Sequence, residues 1–373
     1  MKNYDVVIIG GGPAGATVGQ YLKEQGINYL VIDRGTNYRD KVCAGGVPVG
    51  IMDVLPVSKR NFERVEYDTL LIDFRATLKS TVKIDRPFMY GVARTEFDHF
   101  LREGLNVHYN EKFVMFEREK NGVVVHTDKA VYRTKFLVGA DGVGSRVSIL
   151  SGLAKKRRFI LAEEKETPLE DKDKVNNVKI FLGYNRFGYG WIFPKKDHRS
   201  SGSGALQKYF LHSKGTVNKF DRSKRQTKIY PISLWGGEEV LTDGRIGLAG
   251  EAGNLVDPFT AGGIYPAVLS GKLLAQSIEK ALKKGKSNLY EYNELLMNKM
   301  YEEFRYALFL SKMFYPFIPL IKKVILSRSV MQQAMEYASN GYISYKKFFE
   351  KVRKTRKIHI KIAYFLVKMF ANK

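Results

Sequence analysis

The sequence predicts an α/β fold with an α+β insertion: a Rossmann-like dinucleotide-binding domain, an inserted antiparallel sheet and C-terminal helices. The chain opens on an apolar run that ends in a glycine-rich turn, and its first third alternates strand and helix patterns, which is typical of a parallel sheet. From about Phe159 to Ile232 the pattern changes to short β-rich runs between charged turns. We therefore assign residues 1–150 and 240–285 to a discontinuous first domain, 151–239 to the inserted sheet and 286–373 to a helical region.

The opening run, Val6 to Gly15, reads VVIIGGGPAG and contains a G-x-G-x-x-G turn. The first glycine permits the tight turn, the second lets a pyrophosphate approach, and the third lets helix and strand pack closely. The helix that follows presents free N–H groups to phosphates. Asp33, at the end of the next apolar run, is placed to accept hydrogen bonds from ribose hydroxyls. The predicted site here comprises Gly10, Gly12, Pro13, Ala14, Gly15, Asp33 and Arg34.

The later elements follow from local patterns. Asn121-Gly122 separates two β-rich runs and predicts a hairpin. The run YRTKFLVGADG is expected to return to the first sheet, and so is RIGLAG, from Arg245. A helix is expected over residues 264–283, and everything beyond Ser287 has a helical pattern.

Composition narrows the class of protein. The chain has 373 residues, a net charge of +24 and one cysteine, Cys43, so no intrachain disulfide can form. The start of the chain leaves no room for a signal peptide, which together with the lone cysteine predicts a cytoplasmic protein. The charge indicates either an anionic partner or simply a lysine-rich surface. No nucleic-acid motif and no metal-ligand spacing appears, so an anionic membrane surface is the favoured partner.

Two further segments fit a nucleotide site. LVGADGVGSRVS places Asp141 at the end of a strand. RIGLAGEAGNLVDPFTAGGI places Glu251 at the end of another strand, followed by a loop and a helix entry. Glycines at a helix entry bring backbone N–H groups close to an anion or a ring carbonyl, and a carboxylate can hold a sugar-alcohol hydroxyl. The candidate residues of the second segment are Glu251, Gly262, Gly263 and Ile264.

In this order the segments resemble the flavoproteins typified by para-hydroxybenzoate hydroxylase. The resemblance implies that the cofactor is FAD, that the first domain is an FAD-binding domain and that the inserted sheet is the substrate domain. Arg94, in GVARTEFD, resembles the arginine of this group that lies near the FAD phosphate and ribose, and Val114 is also assigned to the FAD site. Glu251 departs from the usual aspartate, so the ribityl contact must shift or be rebuilt.

Three stretches narrow the resemblance: KVCAGGVP from Lys41 to Pro48, YGWIFPK from Tyr189 to Lys195, and DPFTAGGI. Over residues 1–285 they resemble the geranylgeranyl reductase family, which saturates prenyl double bonds in archaeal lipids, chlorophyll side chains and quinone tails. The resemblance implies hydride transfer from reduced FAD to a prenyl lipid or prenyl quinone. The external electron donor, NADPH or reduced ferredoxin, stays open.

The candidate catalytic residues are Cys43, Tyr189 and Trp191. Strand alternation places Tyr189, Trp191 and Phe193 on one face, where with Tyr184 and Phe187 they line a lipid tunnel or form sheet core. Cys43 lies beside the reacting alkene or is a small buried hydrophobe. Its neighbours Ala44, Gly45 and Gly46 are expected to contact the flavin through their backbone. For the proton donor, Tyr189, Cys43 and an ordered water all remain open.

Two other functions fit the same fold. A flavin-dependent monooxygenase or halogenase is one, although the halogenase signature W-x-W-x-I-P is only approached, since Tyr189 and Phe193 replace its first Trp and its Ile. An electron-transfer flavoprotein that does not turn over lipid is the other.

Two stretches bear on membranes. Leu308 to Ile325 is apolar, but Pro316, Pro319 and its lysines argue against a spanning helix. Lys346 to Lys373 predicts either a basic amphipathic helix on an anionic bilayer or a helix packed on the enzyme. The first interpretation predicts a peripheral protein on the inner face of the cell membrane. The apolar face of that helix comprises Ile358, Ile362, Phe365, Leu366, Met369 and Phe370.

Overall fold

The computed structural model describes residues 2–38, 41–170, 173–339, 341 and 344–354. Seventeen strands are found in these residues. They are β1 (Lys2–Ile9), β2 (Tyr29–Ile32), β3 (Gly46–Pro48), β4 (Val65–Tyr67), β5 (Thr69–Phe74), β6 (Leu78–Lys83), β7 (Met89–Gly91), β8 (Val107–His108), β9 (Phe113–Glu119), β10 (Gly122–Thr127), β11 (Val131–Gly139), β12 (Arg157–Pro168), β13 (Asn177–Leu182), β14 (Gly188–Pro194), β15 (His198–Leu206), β16 (Lys228–Trp235) and β17 (Ile246–Leu248).

Ten α-helices accompany these strands in the described part of the chain, with short 3₁₀ turns and one π-helical turn between the seventh and eighth. They are α1 (Pro13–Glu24), α2 (Ile51–Val54), α3 (Arg94–Arg102), α4 (Arg146–Ser151), α5 (Gln207–Ser213), α6 (Ile264–Lys283), α7 (Tyr290–Leu296), α8 (Glu302–Ile325), α9 (Arg328–Ser339) and α10 (Tyr345–Lys354). None of them combines the length and the apolar character that crossing a membrane requires.

The first sheet has the order β8-β2-β1-β11-β10-β9, and β17 also pairs with β11. Strands β1, β2, β8, β11 and β17 run parallel, and β9 and β10 form an antiparallel hairpin at one edge. The last four residues of β1 are buried, as a strand covered on both faces requires. The hairpin at Asn121-Gly122, the return of the chain through β11 and β17, and the helix over 264–283 are all confirmed.

The second sheet has the order β16-β12-β15-β14-β13-β5-β6 and is antiparallel except for the pair β13–β5. Two of its strands, β5 and β6, come from inside the range 1–150, so this sheet is not confined to the predicted range 151–239. The difference arises because Thr69–Phe74 pairs along the whole length of β13, a long-range contact that local patterns do not reveal. A small third sheet, β3-β7-β4, lies beside them.

Three hydrophobic clusters hold these layers together. One packs α1 and α6 against the first sheet, a second packs α8 and α9 against the second sheet, and a third gathers α2 and α3 around the small sheet. The second cluster includes Ile318, Met331 and Met335 from the C-terminal helices, packed with Trp191 and Phe193. The helical region is therefore a structural part of the second sheet's core.

Candidate active site

One cavity, about 300 Å³ in volume, is lined by the second sheet and the small third sheet, by the loops that follow β11 and β17, by the start of α1 and of α6, and by α8. Fourteen of the residues predicted for the site line it. They are Gly12, Pro13, Ala14, Cys43, Ala44, Gly45, Gly46, Arg94, Tyr189, Trp191, Glu251, Gly262, Gly263 and Ile264.

The glycine-rich turn leaves no room for side chains. A Cβ on Gly15 would lie 1.9 Å from the carbonyl oxygen of Gly10, and Gly10 itself has a φ of +100°. Helix α1 then begins at Pro13, and no side chain caps its N-terminus. The first N–H groups of α1 are therefore available to an anion at the cavity wall.

Asp33 is 4% exposed and holds the turn from the neighbouring strand. Its carboxylate accepts hydrogen bonds of 2.6 Å from the N–H of Gly11 and 2.7 Å from the N–H of Gly35. The next residue, Arg34, is exposed. Neither residue lines the cavity, and Asp33 fixes the loop that does.

Asp141 and Val114 lie around helix α4. The Asp141 carboxylate accepts hydrogen bonds from the Ser145 hydroxyl and, at 2.7 Å, from the N–H of Arg146, so it caps that helix. Burial raises the pKa of Asp141, although these hydrogen bonds oppose the shift. The carbonyl of Val114 accepts a hydrogen bond from the Arg146 side chain. Asp141 thus orients Gly142, which does line the cavity.

A second uncapped helix N-terminus faces the same cavity. Helix α6 follows Gly263, which provides no side-chain cap. The loop before it is shaped by Asp257, whose carboxylate accepts hydrogen bonds of 2.8 Å and 2.9 Å from the N–H groups of Phe259 and Thr260. Asp257 therefore builds the turn that delivers Gly262 and Gly263 to the cavity wall.

Glu251 joins two of the predicted segments. Its carboxylate lies 3.3 Å from the Lys41 ammonium and accepts a 3.0 Å hydrogen bond from the N–H of Ser233. The additional methylene, compared with the usual aspartate, extends the carboxylate to Lys41. This ion pair ties the Cys43 segment, residues 41–46, to the loop after β17.

The Cys43 segment forms a tight wall of the cavity. The N–H of Gly45 donates to the Cys43 sulfur at 3.4 Å, and the N–H of Val92 donates to the carbonyl of Gly45 at 2.9 Å. Arg94 forms a buried two-bond ion pair with Asp98, at 2.9 Å and 2.7 Å. Burial would lower the pKa of Arg94, but Asp98 and the Cys43 thiol, which is within hydrogen-bonding reach, raise it above its usual value.

Tyr189, Trp191 and Phe193 all line the cavity, as strand alternation predicts. The indole of Trp191 lies over Gly202, where a Cβ would come within 2.1 Å of the ring. Phe187 lines the cavity too, but Tyr184 does not. That expectation was wrong because Tyr184, in the turn between β13 and β14, packs beside Phe181 and Phe220, and its hydroxyl donates to Asp73 at 3.2 Å.

The sequence did not single out several residues that complete the site. Lys195 is 3% exposed and its ammonium donates to the carbonyl of Ala44. The Arg102 guanidinium donates a hydrogen bond to the carbonyl of Gly11 at 3.1 Å and so stabilises the glycine-rich turn. Arg158 lines the cavity in alternation with apolar residues of β12, a signal that period-two analysis could have found. Ser311 and Tyr315 of α8 also line it, and nothing local in the sequence indicates this.

The geometry fits FAD. Two uncapped helix N-termini suit its phosphates, and a turn without room for Cβ atoms allows close approach of the cofactor. A family model described as FAD binding domain matches residues 3–160. The protein is a flavoprotein that binds FAD.

Sequence similarity to relatives of the flavoprotein extends over most of the chain. It is 27% identical to an uncharacterised protein of Methanosarcina barkeri, with 94% of each chain covered. It is 27% identical to a digeranylgeranylglycerophospholipid reductase of Methanocaldococcus jannaschii, covering 80% of this chain and 83% of that one. It is 25% identical to a chloroplastic geranylgeranyl diphosphate reductase of Nicotiana tabacum, covering 84% and 75%. The resemblance to geranylgeranyl reductases is thereby confirmed, and the flavoprotein is placed among FAD-dependent oxidoreductases.

Solved structures confirm the fold. A geranylgeranyl bacteriochlorophyll reductase-like protein of Thermoplasma acidophilum matches with a TM-score of 0.75 at 18% identity, covering 97% of this chain and 96% of that one. A flavin-dependent brominase matches with a TM-score of 0.72 at 16% identity, covering 95% and 99%. These neighbours share the α/β architecture of the flavoprotein and differ in the reaction that their titles describe, so fold alone does not select the reaction.

Proposed function

We propose that the flavoprotein is a reductase that saturates C=C bonds of geranylgeranyl or other prenyl chains in membrane lipids or prenyl quinones. The observation that carries this proposal is that one cavity joins both uncapped helix N-termini to a largely apolar wall from the second sheet. The apolar residues of that wall are Ile160, Ala162, Tyr189, Trp191, Phe193, Leu206, Ile232 and Leu234. An isolated alkene is apolar, and such a wall would hold it without water.

The residues of the first domain would hold FAD. The N–H groups at the starts of α1 and α6 would receive its phosphates and ring oxygens, while Asp33 would meet the adenosine ribose. Arg94 and Glu251 would lie along the rest of the cofactor, with Glu251 held in place by Lys41. When bound and reduced, FAD supplies a hydride at N5. Everything else that the reaction requires comes from the protein: position, exclusion of water and a proton.

Among the candidate proton donors, the Tyr189 hydroxyl already donates its proton to another hydrogen bond. It donates to the carbonyl of Thr260, and burial, with smaller contributions from Asp257 and Cys43, raises its pKa well above the usual value. Within the described residues, the Cys43 thiol donates no hydrogen bond. It lines the cavity, and its sulfur accepts a hydrogen bond from the N–H of Gly45. We therefore assign proton delivery to Cys43, and alignment of the apolar chain to Tyr189 and Trp191.

One end of the apolar wall carries a cation. Arg158, Ile160 and Ala162 alternate along β12 and all line the cavity. The Nη1 atom of Arg158 is buried and has no hydrogen-bond partner among the described residues. A buried guanidinium nitrogen without a partner is costly, and a phosphate oxygen would satisfy it. The substrate would then be a prenyl chain with an anionic head, drawn from a membrane surface to which the protein binds peripherally.

The test is an anaerobic reaction of dithionite-reduced protein with geranylgeranyl phospholipid, followed by mass spectrometry of the lipid. The expected result is a ladder of products, each heavier by two hydrogen atoms per reduced bond, with reoxidation of the flavin. Tyr189→Phe should slow the reaction, whereas Tyr184→Phe, outside the cavity, should not. Unchanged lipid beside flavin that stays reduced would exclude this function. Oxygen and NADPH consumption with an aromatic substrate would instead support a monooxygenase.

A further inference from the structure

A second, polar cavity lies behind the Cys43 segment. It measures about 240 Å³ and shares one residue, Val42, with the main cavity, so the segment from Lys41 to Gly46 separates the two. Cys43 lines the main cavity on one side of this wall. Charged side chains dominate the other side: the second cavity is lined by Val42, Glu164, Glu166, Arg225, Gln226 and Lys228.

Glu164 is the unusual member of this set. It is 2% exposed, and its Oε2 atom has no hydrogen-bond partner among the described residues. Its other oxygen accepts a hydrogen bond from the Ser200 hydroxyl, which in turn accepts one of 3.0 Å from the Trp191 indole. The backbone N–H of Cys43 also lies close enough to act on the Glu164 carboxylate. Glu164 is thus linked to two of the three catalytic candidates, Cys43 and Trp191.

Lys195 is a second buried ionisable group beside the Cys43 segment, although it lines neither cavity. Its ammonium donates to the carbonyl of Ala44, next to Cys43, and lies 3.5 Å from the Tyr67 hydroxyl. Its charge interacts with Glu164, Glu166 and the Cys43 thiol. Within the described residues, neither Lys195 nor Glu164 forms an ion pair that would fix its charge state.

We propose that Glu164 and Lys195 form a proton-supply pair. This pair reprotonates Cys43 across the Cys43 segment, which lies between the two cavities. The significance of this step rests on the proposed reductase function. After Cys43 gives its proton to the substrate carbon, the Lys195 ammonium returns a proton to the thiolate, and the Glu164 carboxylic acid then reprotonates the lysine amine. Water in the second cavity reprotonates Glu164, so each turnover consumes one solvent proton and the pair undergoes no redox change.

The ionisation of the pair suits this role near neutral pH. Burial raises the pKa of Glu164 to about 7, although the Ser200 hydroxyl and Lys195 oppose the shift. Burial lowers the pKa of Lys195 to about 8, against the attraction of Cys43, Glu164 and Glu166. The charged and titratable groups that face Cys43 are Arg94, Glu164, Tyr189 and Lys195. Those that face Glu164 from the second cavity are Glu166, Arg225 and Lys228.

The experiment uses the single cysteine of the chain. Because the thiolate is the reactive form, the rate at which iodoacetamide alkylates FAD-loaded protein across pH reports the ionisation of Cys43 alone. Glu164→Gln removes a negative charge and should accelerate alkylation at pH 7 by roughly tenfold. Lys195→Met removes a positive charge and should slow it by a similar factor. The matched control is Lys165→Met, a buried lysine on the other face of β12, which should leave the rate unchanged.

The shape of the profile provides a second measurement. In the natural protein the rate should rise less than tenfold per pH unit between about 7 and 8, because the charges of Glu164 and Lys195 change over that range and alter the field at the thiol. The doubly substituted protein should recover an ordinary single-group curve. Equal profiles for the natural protein and both single variants would overturn the proposal. Alkylation needs no substrate, so its outcome is separate from that of the lipid assay: opposite rate shifts with no lipid reduction would retain the coupling and reject the reductase.

Discussion

The Tyr345 hydroxyl donates a 2.7 Å hydrogen bond to the Asp257 carboxylate, and both side chains are buried. This contact joins the C-terminal helix α10 to the loop that delivers Gly262 and Gly263 to the cavity. A neighbouring contact has the same effect, since the Tyr315 hydroxyl of α8 donates to the carbonyl of Phe259 at 2.7 Å. The C-terminal helices therefore fix the loop of residues 257–263, which we propose contacts the cofactor (the FAD loop), as well as covering the second sheet.

Tyr345→Phe should lower the free energy of unfolding of the FAD-loaded protein by about 1–3 kcal/mol, because a buried carboxylate loses a donor. FAD should also bind more weakly, since Asp257 shapes the entry to α6. Urea unfolding and a flavin titration measure the two effects. The control is Tyr290→Phe, whose ring is 58% exposed and which should change the unfolding free energy by less than about 0.5 kcal/mol. Identical behaviour of the two variants would contradict the proposed coupling.

The same contact predicts a pH dependence. Burial already raises the folded-state pKa of Asp257, and the Tyr345 hydrogen bond, which favours the ionised form, partly opposes that shift. A carboxyl with a raised folded pKa stabilises the fold most below its unfolded pKa, and this contribution is lost as the pH rises through the folded value. Without Tyr345 the folded pKa is higher and more stability is lost. The difference between Tyr345→Phe and the natural protein should therefore be small near pH 4 and grow toward neutral pH.

Gly202 and Gly204 offer a matched pair of tests on strand β15. A Cβ on Gly202 would lie 2.1 Å from the Trp191 ring and 2.7 Å from the carbonyl oxygen of Glu163, whereas the nearest atom to a Cβ on Gly204 is 3.5 Å away. Gly202→Ala should therefore cost about 1–3 kcal/mol by overpacking and displace Trp191 from the cavity. Gly204→Ala should be tolerated. Thermal unfolding and the tryptophan emission spectrum check both, and equal stability of the two variants would show that the Trp191 contact does not constrain the strand.

Local patterns determined much of this architecture and part of the candidate site. The glycine turn, the parallel strands and helix α6 follow from residues close together in the chain, so the sequence predicts them well. The pairing of β5 with β13 does not, because it joins segments about a hundred residues apart whose only shared feature is β propensity.

The dependence on long-range contacts also explains why some residues of the site were not predicted from the sequence. Lys195 and Glu164 are ordinary charged residues in the sequence, and only the packing of the Cys43 segment against β12 and β14 buries them together. Tyr345 and Tyr315 reach the FAD loop from a helical region that carries no motif. Prediction therefore succeeded where backbone geometry demands a particular residue type, as at Gly10 and Gly15. It failed where distant segments create the environment.

Arg158→Gln tests the proposed anionic head group. Losing a buried charge-assisted hydrogen bond should raise the KM for a phosphate-bearing prenyl lipid by about tenfold or more, which corresponds to at least about 1.4 kcal/mol, with little change in kcat. The control is Arg157→Gln, because the adjacent residue of β12 faces the opposite side of the sheet. A prenyl alcohol without phosphate should be reduced equally by all three proteins. If flavin binding falls and KM does not change, Arg158 contacts the cofactor's phosphates instead.

Membrane association can be tested by removing residues 355–373, which lie outside the described residues and contain Ile358, Ile362, Phe365, Leu366, Met369 and Phe370. The cut preserves α10, where Lys346 forms a 2.8 Å ion pair with Glu302, so the FAD loop keeps its contact with Tyr345. This segment carries five Lys or Arg residues and no acid, and each basic residue near an anionic bilayer is worth about 1 kcal/mol. Truncation should therefore abolish flotation with phosphatidylglycerol vesicles at low salt while the bound flavin absorbance persists.

A second variant separates the insertion of apolar side chains into the bilayer from the electrostatic attraction of the basic residues. Replacing Ile358, Ile362, Phe365 and Leu366 by Ser keeps every basic residue but removes the apolar face. If the segment lies in the interface with its apolar residues among the acyl chains, this variant should bind vesicles weakly and lose that binding as salt rises, because only screened electrostatic attraction remains. The full chain should retain part of its binding at high salt. Undiminished flotation of the truncated protein would instead assign membrane binding to the rest of the basic surface, and the C-terminal segment would have no part in it.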